Sequence, residues 1–420
     1  MKRQYFLIVL FLILASKALS APKIKVWLLL YTEHVKILKN MAEDQFTAKT
    51  GIIVDIEPIN WSDVVSKSLL AVAGGDSPDI GYASIDFGLR GALLDLKAEF
   101  GERYDKLAQN WTAGASLGSG YEGRYYGAWH LINCFIQYYR LDLLQKLALT
   151  PPQTWEELYN VLPKIQAAGY TINLAWENMA THSFLPFIWQ RGGDILSSNG
   201  LESRLNELVV EKAFNEYTDL YRFYKLPQDS EWKTSFNYFL NGESVLLFDG
   251  DWTYGNLCSQ QSLNGRWSMA KFPGHLVDGK IVRKTPLGGP MIGIYKGSKQ
   301  KEAAFQFLEW FLDSKTQADL SNQIMFTIDW ATYYPANPKA IPLLKGYPQD
   351  KLKFLQEALE DSRTNIPHLG SLNRYIDNAI KTRVLLGKDS QELLAKAHKE
   401  MQNEIERKRI EYRRYIQPRI

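Results

Sequence analysis

The sequence predicts an α/β protein made of two doubly wound globular units, and three observations predict it. The chain has 420 residues, more than one ordinary core accommodates. Apolar runs with strand character alternate with stretches at helical spacing in both halves of the chain. Gly- and Pro-rich crossings interrupt the alternation at residues 285–290 and 333–338, and the stretch 121–158 reads as a passage from one unit into the other.

The elements follow in order. Ile24 to Leu30 reads as a buried strand, and Val35, Leu38, Ala42 and Phe46 mark a helix stopped by Thr50-Gly51. Ile52, Val54 and Ile56 alternate as a second strand, which a βαβ crossover makes parallel to the first. A helix from Val64 to Ala73, a short strand from Ile80 to Ala83, and a loop and helix from Ile85 to Leu96 complete the first part. Leu131 to Tyr139 is long and apolar enough for a buried strand. Pro151-Pro152 then halts the chain, and Thr154 with Glu157 has capping-box spacing ahead of a helix from Trp155 to Ala168. A strand from Thr171 to Ala175 and helices from His182 to Trp189 and from Leu205 to Tyr224 come next. The strand Val245 to Phe248 delivers Asp249-Gly250-Asp251-Trp252 to its end. A strand from Met291 to Tyr295 precedes a strongly apolar helix, Glu302 to Leu312, and the rest is mainly helical.

Composition narrows the classes. Hydrophobic content of 45% and charged content of 23% fit an ordinary soluble protein, and a net charge of +3 is too small to argue for nucleic acid. Lys2 and Arg3, the apolar run Phe6 to Leu14 and Ala18-Leu19-Ser20 form a signal peptide, residues 1–20, cleaved before Ala21. The apolar run is short for a membrane span, and no later segment is apolar enough for one. An exported, soluble, periplasmic protein is expected. Cys134 and Cys258 fit either one disulfide or two buried thiols. Six scattered histidines and no cysteine cluster give no support for a metal site, and no cofactor is expected. The tail from Lys399 carries Arg407, Lys408, Arg409, Arg413, Arg414 and Arg419, either a solvated helix or a contact for an acidic partner or membrane surface.

Four segments together carry a family resemblance. They are EDQFTAKTGIIV with GGDSPDI (residues 43–54 and 74–80), residues 121–158 with Y-x-x-D-L and PPQTWEEL, FLNGE with GDW (residues 239–243 and 250–252), and LGGPMIGIYKGSKQKEAAFQFLEWFL (residues 287–312). With these the chain resembles the extracellular solute-binding proteins of ABC importers, in the sugar-binding group that includes the maltose-binding protein. The resemblance implies a type II periplasmic binding protein-like fold, two lobes joined by a hinge of several crossings. The implied lobes are residues 21–130 with 285–333, and 131–284 with 334–420. It also implies a sugar as solute, an inner-membrane ABC permease as partner and a monomer.

Sugars present a flat apolar ring face and a rim of hydroxyls, which aromatic rings and carboxylates or amides match. Ligands of open α/β sheets sit beyond the carboxyl ends of strands. The candidates are therefore Tyr31, Trp61 and Asp86 after the first strands, and Trp129, His130 and Asn133 at the first crossing. Trp176 and Glu177, Asp251 and Trp252 end later strands, Gly289 allows close backbone approach, and Arg374 and Trp330 are lesser additions. Trp252 matches the family's stacking tryptophan. Trp61 reads equally as a core ring, Asp86 equally as a helix N-cap, and Asn133 as a satisfier of backbone groups. A glycosidase would need two carboxylates about 5–10 Å apart, which nothing here fixes. Other cargoes known for this architecture are polyamines, polyol phosphates and metal ions; the strand-end loops carry tryptophan rather than clustered charge, which favours a neutral sugar.

Overall fold

The computed structural model of the chain describes residues 21–111, 118–174, 180–228, 232–328, 331–364 and 369–416. It divides into two units: the residues up to Tyr82 with Ile294–Phe311, and Ala83–Gly293 with the residues from Leu312 onward. Residues 83–130, 285–293 and 312–333 thus fall in the larger unit, whereas the expected lobes place them in the first.

The smaller unit starts with β1 (Lys23–Leu28), whose alternate residues Ile24, Val26 and Leu28 are fully buried. Helix α1 (Thr32–Met41) continues through a π-helical turn, Ala42–Thr47, and ends at Gly51 in the left-handed region, φ 72°. The chain returns as β2 (Ile53–Pro58), parallel to β1 with Ile24 opposite Val54 and Val26 opposite Ile56. The expected βαβ unit is therefore present. Helix α2 (Val64–Gly74) and β3 (Ile80–Ala83) follow, with Ile80 opposite Val26 in a second parallel pair. The Pro-Asp of residues 78–79 has a structural task. Asp79 accepts from the Lys25 amide at 2.9 Å and from the Ser298 hydroxyl at 2.5 Å, tying the strand start to the Lys-Gly-Ser turn. Phe46 packs on Phe307 and Trp310 of the helix Lys301–Phe311, at 5.7 and 5.5 Å between ring centres.

In the larger unit, helix α3 (Ile85–Leu89) is followed by short helices, Leu96–Phe100 and Glu102–Ala108, which lie beyond the loop and helix expected from Ile85 to Leu96. A hairpin pairs residues 120–121 with 124–125. β4 (Ala128–Trp129) leads through the crossing into β5 (Asn133–Arg140), which is the central strand. Helix α4 (Trp155–Ala167), β6 (Thr171–Leu174), helices α5 (Ala180–Trp189) and α6 (Leu208–Arg222) and β7 (Ser244–Gly250) build around it. Helix α7 (Thr253–Cys258) and strands β8 (Trp267–Lys271), β9 (Thr285–Gly288) and β10 (Met291–Ile294) come next. β7 runs antiparallel along one edge of β5, with Phe135 opposite Gly250; β9 and then β8 share the other edge, also antiparallel. β6 adds in parallel to β7. Helices α8 (Ser314–Thr327), α9 (Leu369–Leu386) and α10 (Ser390–Ile416) close the unit. Both faces of β5 and β7 are covered, which is why they read as continuous apolar runs rather than alternations.

The motifs that carried the resemblance hold this unit together. Thr154 caps α4 by accepting from the Glu157 amide at 3.1 Å, while Glu157 reaches back to the Gln153 amide. Trp155 is fully buried against Phe187, the two rings tilted by 31° with centres 4.1 Å apart, and its indole N–H donates to Gln190 at 2.8 Å. Arg140 of the Y-x-x-D-L stretch is clamped by Asp142 and donates to the Phe239 carbonyl at 3.0 Å, beside the Gly242 amide that donates to the same oxygen at the end of helix Trp232–Asn241. Both cysteines are free, Cys134 buried in β5 and Cys258 exposed at the end of α7, so the disulfide reading is excluded. No helix among the described residues is long and apolar enough to cross a membrane.

Candidate ligand-binding site

All seven residues of β7 are buried, and the strand carries its last side chains into the protein interior. Just past it, the Asp251 amide donates to the Cys134 carbonyl at 3.0 Å, which sets the side chain beside the start of β5. Asn133 Nδ2 donates to Asp251 Oδ1 at 2.7 Å. Asp251 is only 4% exposed, and its Oδ2 has no hydrogen-bond partner among the described residues. Burial pushes this carboxyl up to about 7, against the Asn133 hydrogen bond and with help from the neighbouring Asp249 charge. The Asp251 charge in turn raises the phenols of Tyr334 and Tyr347, after burial, and the Tyr334 hydroxyl is also buried without a partner among the described residues. Buried polar atoms are usually paired, so two such atoms within electrostatic reach mark a place built to receive a polar group.

Trp252 completes this corner. It is half-buried, with its ring edge-on to Phe135 at 5.8 Å. A Cβ on Gly250 would lie 2.2 Å from the Trp252 ring, so glycine is what lets the ring fold back over the strand end.

Asp86 is different. The cap of α3 is Ser84, which accepts from the Phe87 amide at 3.2 Å, so the N-cap reading of Asp86 is wrong. Its carboxylate accepts from Lys408 Nζ at 2.9 Å and from the Tyr412 hydroxyl, and pairs with Arg90 Nε at 3.0 Å. Burial raises this carboxyl, but the Tyr412 and Lys408 hydrogen bonds and the Lys408 and Arg90 charges outweigh it and hold it below its ordinary range. In this structure Asp86 is satisfied by the chain itself.

The other candidates scatter. Tyr31 and Trp61 lie in the smaller unit and are 58% and 63% exposed, which overturns the core reading of Trp61. Trp129 is 7% exposed in β4, opposite Met291, and its indole N–H is buried without a partner among the described residues. His130 is fully buried. Its Nδ1 lies 3.3 Å from the Tyr333 hydroxyl, and its carbonyl accepts from Tyr333 and from Gln317 Nε2 at 2.6 and 2.7 Å. Burial pushes its imidazole down to about 3, so it is a neutral brace of the crossing rather than a solvent-facing contact. Gly289 has φ 144°, and a Cβ there would lie 2.4 Å from the Leu131 carbonyl oxygen; the close approach it permits is between two crossings of the chain. Arg374 lies on α9, exposed, donating to the Tyr375 hydroxyl at 2.8 Å with Glu404 3.6 Å away. Trp176, Glu177 and Trp330 fall outside the described residues.

Sequence reasoning missed Tyr334 and Tyr347 near Asp251, and the Lys408–Tyr412 pair on Asp86. A signal for the second existed, because residues four apart on a helix share a face. Nothing in the sequence linked that face to residue 86.

Comparison with known proteins places the chain. Residues 42–353 match the model of a family described as bacterial extracellular solute-binding protein. The diacetylchitobiose binding protein DasA of Streptomyces coelicolor is 23% identical over 294 residues, 67% of each chain. Among solved structures, the GacH receptor of Streptomyces glaucescens GLA.O, crystallised without ligand and with acarbose, superposes with a TM-score of 0.77 at 18% identity, covering 92% of this chain and 98% of that one. The sugar-binding protein MalE of Xanthomonas citri gives a TM-score of 0.75 at 18% identity, with 92% and 98% covered. These likenesses establish the type II periplasmic binding protein-like fold. With its family model matched across residues 42–353, the chain belongs to the bacterial extracellular solute-binding proteins.

Proposed function

We propose that this protein is the solute-capturing component of an ABC importer for a sugar or short oligosaccharide, which it delivers to an inner-membrane permease. The observation that carries the reading is the corner at the end of β7. There a half-buried Trp252 ring stands next to the Asn133–Asp251 pair, whose outer carboxylate oxygen has no partner among the described residues. An aromatic face beside hydroxyl-directed polar atoms is the complement of a sugar. The relatives support it: DasA is named for diacetylchitobiose and the GacH receptor was crystallised with acarbose. The lobe limits 21–130 with 285–333 and 131–284 with 334–420 belong to the same proposal. So do cleavage before Ala21, residence in the periplasm and the absence of catalysis on the bound solute.

The mature chain, residues 21–420, should be melted in the presence of maltose, diacetylchitobiose, ribitol and spermidine. A ligand at one hundred times its Kd stabilises by about 2.7 kcal/mol, enough for a shift of several degrees. A shift with a disaccharide is expected, and a response to spermidine alone would sink the sugar assignment. Chromatography of the incubated sugar should show no product. Trp252→Ala should weaken the sugar bound by about tenfold or more, since a stacked ring contributes at least 1.4 kcal/mol or so of buried face.

A further inference from the structure

The basic tail singled out in the sequence is spent within the chain. Ile405, Lys408 and Tyr412 of α10 are 5%, 3% and 5% exposed, so the helix is seated rather than solvated. Glu404 takes Arg407, Asp86 takes Lys408 and Glu406 takes Arg409. A different surface emerges where α6 and α9 end side by side. Phe223 follows the last residue of α6, and Leu385 and Leu386 are the last two residues of α9. They are 65%, 63% and 69% exposed. Arg222 links the two ends: its guanidinium lies 5.2 Å from the centre of the Phe223 ring, and a Cβ on Gly387 would stand 3.9 Å from its Nη2. Gly387 stops α9 in the left-handed region, φ 64°, directly after Leu386. The turn is pinned, because Arg383 donates to the Lys388 carbonyl at 2.6 Å and to Asn215 Oδ1 of α6 at 3.3 Å. Single exposed apolar residues are ordinary, but three large ones grouped at one pinned end form a patch of the kind that meets a partner or a membrane.

The charges around the patch decide between these. Arg222, Lys225, Arg383 and Lys388 stand against Asp219 and Asp389, four positive charges against two negative. The arginines take up the acids: Asp219 pairs with Arg222 at 3.5 Å, and the charges of Asp219 and Asp389 both act on Arg383. Asp389 also accepts from the Glu392 amide at 3.0 Å. Lys225 and Lys388 are exposed and have no ion-pair partner among the described residues, which leaves an excess of two positive charges. Farther out the charges cancel in neighbouring pairs, Lys381 with Asp377 and Lys396 with Glu392, each four apart along a helix, and Lys212 with Glu211. A second copy of the chain would set the same excess against itself, and lysine is scarce in protein–protein interfaces. Apolar side chains ringed by lysine and arginine are instead the complement of an anionic bilayer, whose acyl boundary takes the former and whose headgroups take the latter.

We propose that this end of the larger unit is a docking surface for an anionic phospholipid bilayer, holding the chain reversibly at a membrane face. Phe223, Leu385 and Leu386 enter the boundary between headgroups and acyl chains, and Lys225 and Lys388 meet the phosphates. A few apolar side chains or two lysines alone bind weakly, so both signals are needed together. The surface shares no residue with the corner at Asp251, so it stands or falls apart from the sugar assignment. The test is flotation of the mature chain, residues 21–420, at pH 7 and low salt with two kinds of vesicle, phosphatidylcholine alone and phosphatidylglycerol mixed one to two with phosphatidylcholine. At least fivefold more protein should float with the mixed vesicles, and NaCl at about 1 M, where the Debye length is about 3 Å, should abolish the difference. Leu385→Gln with Leu386→Gln, and separately Lys225→Gln with Lys388→Gln, should each cut the floated fraction threefold or more while melting at the parent temperature. Sedimentation of the parent and of Phe223→Ser without lipid tests for a second copy on the same face, and a monomer is expected for both. Equal flotation with both kinds of vesicle, flotation unchanged in either double variant, or a lipid-free dimer that Phe223→Ser dissolves overturns the proposal.

Discussion

Asp86 and Asp251 are two largely buried carboxylates in the same unit, each just beyond a buried strand, and their surroundings drive them in opposite directions. Asp86 is met by an ammonium, a guanidinium and a phenol, and its pKa falls. Asp251 is met by one side-chain amide and by backbone amides but no cation, with another carboxylate nearby, and its pKa climbs to about 7. Burial raises both; the number and charge of the donors decide which effect wins. A satisfied carboxylate holds the fold, and one with a lone buried oxygen is left for a ligand.

The largest test of this contrast strips Asp86 away. Asp86→Ala leaves Lys408, 3% exposed, without its acid partner and should cost about 3–5 kcal/mol at pH 7, read from urea denaturation. Adding Lys408→Met should restore at least half of that loss. No restoration would mean that packing rather than charge ties α10 to Asp86. Because the folded Asp86 carboxyl titrates below its unfolded value, its contribution is present above the ordinary carboxylate range and is lost on acidification through the lowered pKa.

Asp251 should show the opposite sign. Its folded carboxyl keeps a proton up to about 7, whereas the unfolded one loses it near 4. The folded state therefore binds the extra proton between those values, and stability falls as pH rises through that window. Asp251→Asn should stay close to the parent at pH 4 and exceed it by about 4 kcal/mol at pH 8, three pKa units at about 1.4 kcal/mol each. A pH-independent difference between the two would break the comparison.

The smallest effect probes the side-chain donor, Asn133. Asn133→Ala should cost about 1 kcal/mol at neutral pH and move the Asp251 titration upward, visible in carboxyl carbon NMR. A downward move would mean that Asn133 does not stabilise the ionised form.

Much of the fold was legible because it rests on local chemistry. Thr154 and Glu157 announced the start of α4 by spacing alone, and the apolar run ending at Tyr139 announced β5. Boundaries were less so: the helix read from Leu205 to Tyr224 runs from Leu208 to Arg222, since its ends are set by tertiary contacts. At the site, Asn133 and Asp251 were named as separate candidates 118 positions apart. His130 looked like a contact because aromatic and polar neighbours surround it in sequence. The crossing of residues 333–337 covers it, and a one-dimensional reading contains no such cover.

The sequence by itself determined the α/β class, the strand that presents Asp251 and Trp252, and the family, because periodicity, caps and Gly/Pro punctuation act over a few residues. Only the tertiary structure decided which carboxylate is spent on the fold and which keeps an oxygen in reserve. That choice depends on β5 lying beside β7 and on a helix more than 300 residues downstream reaching Asp86. Hydrogen bonds and charges act over a few ångströms in space, and sequence distance carries no record of them.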